Sequence, residues 1–175
     1  MNTIIKNYGF LFMVAGTVVV LDQVTKFMVR TNVLLGEMWS PWPWLTPYAR
    51  IVHINNSGAA FGMLQGFADI FALLAIVVVV IILIYFPRIP RNEWALRLAL
   101  GLQLGGALGN LIDRLRYQGH VTDFISVATF PVFNIADASI SIGVAILILS
   151  VWSTERGKPN SNTAGNSVSE DVAGE

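Results

Sequence analysis

The chain has 175 residues, 54% hydrophobic and only 13% charged, about half the ~25% charged share of a soluble domain. Its formal net charge is zero, which excludes a strongly basic nucleic-acid binder. It has no cysteine, which excludes disulfides, thiolate chemistry and cysteine-based metal sites.

Hydrophobicity is concentrated in four runs, at residues 8–29, 67–86, 95–112 and 133–152. Each holds about twenty residues, enough for a helix to cross a hydrocarbon core of about 30 Å. Lys6 precedes the first run as it would in a cleaved leader. The run nevertheless continues through Asp22 and Lys26 with no small-x-small cleavage pattern, so it reads as a retained helix. Asp22 and Lys26 are spaced i, i+4 and are expected to pair. The segment 30–66 is rich in Trp39, Trp42, Trp44 and Tyr48, residues that favour the headgroup region. Within it, residues 50–55 alternate, with Val52 and Ile54 on one face, and predict a short strand.

The second run contains IVVVVIILI and is apolar on every side, as suits a lipid-facing helix. PRIPRNE follows as a short, proline-broken connector. On the third run Gly101, Gly105 and Gly109 recur every four residues and permit close backbone approach in lipid. Ser139 and Gly143 offer a matching face on the fourth run, so the third and fourth helices are expected to touch there. Asn110, Asp113 and Arg114 form a polar patch at the end of the third run that needs partners. Residues 153–175 are polar, without apolar periodicity, and predict a disordered tail.

Asp123 and Asp137 lie in HVTDF and FNIAD, beside the fourth run. Ionisable side chains so close to a bilayer core are expensive and usually functional. Two carboxylates that approach each other divide their labour, one as base and one as proton donor, because like charges resist ionising together. Asn134, three residues before Asp137, can orient a carboxylate or a substrate backbone. Arg114 has two readings: a ligand for a substrate carbonyl or an aspartate, or a structural ion pair with Asp113 or Asp22. The sequence does not say which aspartate starts protonated. His53 and His120 lack an HExxH pattern or a third ligand, so neither a metal nor a cofactor is expected. Ser57 lacks a nucleophile-elbow context, and NSGAAF reads as a turn with Asn56 presenting its amide toward a substrate.

An even number of spans puts both termini on one side. With Lys26 and Arg114 set aside as internal partners, that side holds six basic residues against three, which favours termini in the cytoplasm. A proton-coupled transporter subunit would hold its carboxylates near the bilayer midplane rather than at one end of the helices. A non-catalytic membrane scaffold would explain the glycines and tryptophans but not the gathered acids and amides.

Read in order, the chain contains DQVTK (22–26), NNSGAAF (55–61), GGALGNLIDR (105–114), VTDF (121–124) and FNIAD (133–137). This series resembles the bacterial lipoprotein signal peptidases, the signal peptidase II family of aspartic peptidases. The resemblance implies an all-α integral membrane protein of four transmembrane helices. A small extramembrane β-cradle would lie at about 33–60, and a short amphipathic outer helix around 61–67. It implies an endopeptidase that removes signal peptides from prolipoproteins, cutting before a diacylglyceryl-modified cysteine. By motif match Asp123 and Asp137 take the catalytic positions. Asn56, Gly58, Asn110, Asp113, Arg114, Asn134 and Ala136 support them, and Asp22 and Lys26 form a polar pair on the first helix. The implied partners are prolipoproteins and membrane lipids, with no metal or nucleic acid. The implied setting is the bacterial cytoplasmic (inner) membrane, with the site near its outer face, a peptidase domain over residues 1–152 and a cytoplasmic tail over 153–175.

Overall fold

Each apolar run forms a helix, because in a hydrocarbon core only internal hydrogen bonding satisfies the backbone. The computed structural model describes residues 2–58 and 66–156, with side chains over 8–58 and 66–153. In chain order the elements are α1 (Asn2–Asn32), β1 (Met38–Trp39), β2 (Ala49–Asn56), α2 (Ala68–Tyr85), α3 (Trp94–Arg116), β3 (Val121–Val127) and α4 (Ile135–Arg156). Most of the expected outer helix and residues 157–175 of the expected tail lie outside the described residues. Ser153 to Arg156, read as tail, belong to α4.

Among the described residues, four stretches are long and apolar enough to cross a membrane: Tyr8–Asn32, Ala68–Arg88, Trp94–Arg116 and Ile135–Ser153. The first and third run past the expected ends, where Arg30 and Asp113 find partners inside the bundle. Half of the α3 stretch is buried, against 11% for the α2 stretch, so α3 is the central helix and α2 a lipid-facing one. At the end of the bundle away from the strands, Leu11, Ala15, Ile82, Phe86 and Leu104 form a buried apolar cluster. Arg97 lies over the Phe86 ring at 4.2 Å and donates to the Ile89 carbonyl at 3.0 Å, which makes a cation tolerable there.

Gly101 and Gly105 of α3 face a different helix from the one expected. A Cβ placed on Gly101 would lie 2.8 Å from Val14 Cβ, and one on Gly105 2.6 Å from Val18 Cβ and 2.8 Å from the Ala15 carbonyl oxygen. All three neighbours are on α1, not α4. The close approach to α4 comes instead at Gly106, where a Cβ would lie 2.5 Å from the Ala136 carbonyl oxygen. Gly143 does face α3 as read, 2.8 Å from the Ala99 carbonyl oxygen by the same measure. Successive helical residues point about 100° apart, so neighbouring glycines serve different helices. Gly109 stands between the two, its added Cβ 2.7 Å from Asp22 Oδ2 and 3.3 Å from Ala136 Cβ.

The sheet runs β1-β2-β3, antiparallel throughout, with a register irregularity between Ile51 and Ile54. β2 covers the strand predicted at 50–55. β3 lies beyond the 33–60 region expected to form the cradle. Val121, Phe124 and Ser126 are buried, and VTDFISV lacks the clean alternation that marks a half-exposed strand. A short fold-back after β3 then determines the site. The Phe133 carbonyl accepts from Phe124 N–H at 3.0 Å and Ile125 N–H at 2.8 Å, bringing the start of α4 alongside Asp123.

Candidate active site

The N-terminus of α4 is closed by its own side chains. Asn134 is the N-cap: its Oδ1 accepts from Asp137 N–H at 2.9 Å, while Asp137 Oδ2 accepts from Asn134 N–H at 3.2 Å. This reciprocal arrangement satisfies two backbone donors and fixes the Asp137 rotamer in the first helical turn, where the helix dipole favours negative charge. The Asn134 amide nitrogen donates to Asp123 Oδ1 at 2.7 Å and to Asn110 Oδ1 at 3.1 Å. Asn110 in turn donates to Asp137 Oδ1 at 2.7 Å. Two asparagines thus tie the two carboxylates into one frame.

Asp123 is 3% exposed, on β3. Its Oδ2 accepts from the Asn56 amide at 2.9 Å, and Asn56 Oδ1 accepts from Gly58 N–H at 2.9 Å. The Asn56 amide nitrogen therefore points at Asp123, in keeping with a supporting place, rather than toward a substrate. Burial pushes the Asp123 carboxyl up to about 6, and the negative charge of Asp137 adds to the effect. The Asn56 and Asn134 amides and the Lys26 charge oppose it without cancelling it.

Behind this frame lies a buried ionic cluster. The three hydrogens of the Lys26 ammonium meet Asp22 Oδ2 at 2.9 Å, Asp113 Oδ2 at 3.1 Å and Asn110 Oδ1 at 2.9 Å. Asp22, Lys26 and Asp113 are all fully buried. Asp22 Oδ1 accepts from Ala136 N–H at 3.0 Å, so α1 holds the first turn of α4 in place. Asp113 Oδ2 also accepts from Thr122 N–H at 3.1 Å, tying α3 to β3 one residue before Asp123. Removing the ammonium would leave two buried carboxylates short of a partner, a loss on the order of 3–5 kcal/mol.

Sequence reading missed Gln23, whose amide nitrogen donates to Asp113 Oδ1 and the Gly109 carbonyl, both at 3.1 Å. Its one signal was its place inside DQVTK. Arg114 makes no ion pair with Asp113 or Asp22 among the described residues, so that reading is corrected. Its guanidinium lies 5.4 Å from the Phe71 ring centre on the wall of the site, where Nε is buried without a hydrogen-bond partner. A buried guanidinium N–H aimed at no protein atom is suited to a carbonyl or phosphate oxygen of a bound molecule.

Asp123, Asp137, Asn56, Gly58, Asn110 and Arg114 line one cavity of about 500 Å³. The rest of its wall is largely apolar, with Phe71, Phe130, Val132, Ile140 and Ile142. Phe130 and Phe133 meet edge to face at 5.7 Å. Asp113, Asp22, Lys26, Asn134 and Ala136 stand behind the wall rather than in it. Among the described residues no three His, Asp or Glu side chains are grouped to hold a metal ion.

Fold and site together define a multi-pass membrane protein with two carboxylates at one end of its helix bundle. Residues 14–153 match the family described as signal peptidase (SPase) II. The chain is 39% identical over 161 residues to the lipoprotein signal peptidase of Anoxybacillus flavithermus, covering 90% of this chain and 94% of that one. It is 43% identical over 130 residues to the lipoprotein signal peptidase of Moorella thermoacetica, covering 74% and 84%. Among solved structures, a bacterial membrane enzyme determined by the in meso method at 2.3 Å resolution superposes with a TM-score of 0.79 at 33% identity, covering 87% and 93%. A second such enzyme, at 1.9 Å, superposes with a TM-score of 0.72 at 34% identity, covering 82% and 92%. The chain belongs to the signal peptidase II family and is a peptidase.

Proposed function

We propose that this peptidase removes signal peptides from prolipoproteins at the bacterial cytoplasmic membrane, cutting before a diacylglyceryl-modified cysteine with Asp123 and Asp137 as its catalytic pair. The supporting observation is the frame in which Asn110 and Asn134 hold both carboxylates on the wall of one largely apolar cavity. Such a wall suits an apolar signal segment and acyl chains, with the carboxylates at the peptide bond to be cut.

In this reading Asp123 carries the proton and Asp137 the charge. Asp123 is the one that burial and its neighbour's charge push up to about 6. Asp137 sits at the positive end of α4 and accepts from Asn110 and its own N-cap. Asp137 takes a proton from water as the water oxygen attacks the scissile carbonyl carbon, and Asp123 gives its proton to the carbonyl oxygen. The resulting diol collapses with cleavage of the C–N bond, the leaving nitrogen taking the proton from Asp137 while Asp123 recovers one from the diol. Arg114 Nε is placed to hold a substrate carbonyl.

Purified protein in detergent should shorten a lipidated prolipoprotein. Asp123→Asn and Asp137→Asn should each reduce turnover at least about a thousandfold while leaving the protein inserted and extractable. Near-parental turnover in either variant removes that residue from the pair. No cleavage by the parent protein would leave the family membership standing but not this substrate.

A further inference from the structure

The strands beside the candidate pair have a second face. Alternation along β2 and β3 puts Asn56, Val121 and Asp123 on the first cavity and His53, Asn55 and Thr122 on another. That second cavity, also about 500 Å³, is completed by Arg30 from the last turn of α1 and by Arg116 and the turn that follows α3. Among the described residues none that lines it is acidic.

Its two arginines differ in how they are held. Arg30 Nη1 donates to Thr122 Oγ1 at 2.9 Å and lies 3.6 Å from Asp113, and its guanidinium lies over the Tyr117 ring at 4.5 Å. Nε and Nη2 of Arg30 have no partner among the described residues, so a pinned guanidinium keeps donors to spare. Arg116 is exposed and has no partner at all among the described residues. The charges of Asp22 and Asp113 are balanced by Lys26 and Arg30, so Arg116 is the surplus positive charge. The histidines add acceptors. His53 Nδ1 meets the Val33 carbonyl at 2.8 Å and His120 Nδ1 the Tyr117 carbonyl at 3.1 Å. A carbonyl only accepts, so each Nδ1 carries the hydrogen and each neutral ring is left with an acceptor at Nε2.

Depth identifies the occupant. Arg30 and Arg116 fall in the last turns of the membrane-crossing stretches Tyr8–Asn32 and Trp94–Arg116, at headgroup level. Leu115, beside Arg116, is 73% exposed, and Leu34 is 71% exposed, so apolar surface borders the basic cavity. We propose that this cavity binds the phosphodiester of an anionic, hydroxyl-bearing phospholipid headgroup, of the phosphatidylglycerol type, in the leaflet that the carboxylate pair faces. The arginines take the phosphate oxygens, and the His53 and His120 Nε2 atoms accept from the headgroup hydroxyls. A headgroup that carries its own amine balances its phosphate internally and brings a second cation toward Arg116. The site is distinct from the peptidase cavity and does not depend on which substrate that cavity cuts.

The test is titration calorimetry of the full chain in detergent with dihexanoyl phosphatidylglycerol, dihexanoyl phosphatidylcholine or inorganic phosphate. Phosphatidylglycerol should bind at least about tenfold more tightly than either of the others. Arg116→Gln should weaken that binding about tenfold and Arg116→Lys by much less, while Arg88→Gln, at the other end of the bundle, should leave it unchanged. Arg116 has no hydrogen bond or ion pair among the described residues, so Arg116→Gln should keep the parental Tm and cleavage rate. Equal binding of phosphatidylcholine, an unaffected Arg116→Gln, or inorganic phosphate as tight a ligand as the lipid would each overturn the proposal.

Discussion

At the scale of single residues, the candidate site is a competition between burial and hydrogen bonding at Asp123. Folding raises this carboxyl from its ordinary 3.8 to about 6. The folded chain therefore holds the proton more tightly than the unfolded chain does. Through this group stability is greatest below about pH 4 and declines as pH rises to about 6. The same proton is the one the proposed mechanism spends. Asn56 opposes its retention by donating to Asp123 Oδ2 at 2.9 Å, which stabilises the carboxylate. Asn56→Ala removes that donor and favours the protonated acid. The alkaline limb of kcat/KM, which reports the free enzyme, should then move to higher pH by about one pH unit. A pH-rate series on parent and variant checks the sign. A limb that stays put or moves down would place the catalytic proton elsewhere than on Asp123.

At the scale of elements, α3 organises the molecule because its glycines let two helices approach at once. The atoms nearest an added Cβ at Gly101 all belong to the Val14 side chain, whereas at Gly106 the nearest is the Ala136 carbonyl oxygen. Gly101→Ala and Gly106→Ala should each cost about 1–3 kcal/mol from overpacking. Val14→Gly should relieve the first and not the second, with a coupling of about 1 kcal/mol or more between positions 14 and 101 in a double-mutant cycle. Thermal unfolding in detergent measures it. Additivity at 14 and 101 would mean that α1 does not rest on this face.

The same elements show what the sequence could and could not carry. The four helices were legible because apolar runs of about twenty residues have few other uses. The glycine spacing was legible as a packing signal but not its direction, since an i, i+4 pattern names a face and not the neighbour that covers it. β3 was hidden because its run is buried on both sides and loses the alternation by which β2 showed itself. Asp123, Asp137, Asn110 and Asn134 were legible as chemistry. That Asn134 both caps α4 and bridges the carboxylates depends on the Phe133 fold-back, a contact no local pattern announces.

At the scale of the whole molecule, the two ends of the bundle are unlike. One end carries the sheet, the exposed Trp39, Trp42 and Trp44, the carboxylate pair and the basic cavity. The other carries Arg88 and Arg97 around the α2–α3 connection, each stacked on an aromatic ring. The tryptophans suit a headgroup region, and the positive charges at the opposite end suit the cytoplasm. A lipid-bearing cysteine on an exported protein lies on the far side of the membrane, so a peptidase that cuts beside it needs its carboxylates there. The chain has no native cysteine, so single cysteines report orientation without background. Thr129, after β3, and Asn92, between α2 and α3, are both exposed and stand at opposite ends. In intact cells a membrane-impermeant maleimide should label Thr129→Cys and leave Asn92→Cys unlabelled, with Asn92→Cys reacting only after permeabilisation. The reverse pattern would put Asp123 and Asp137 on the cytoplasmic side, away from the exported cysteine, and would remove the topological basis for the proposed cleavage.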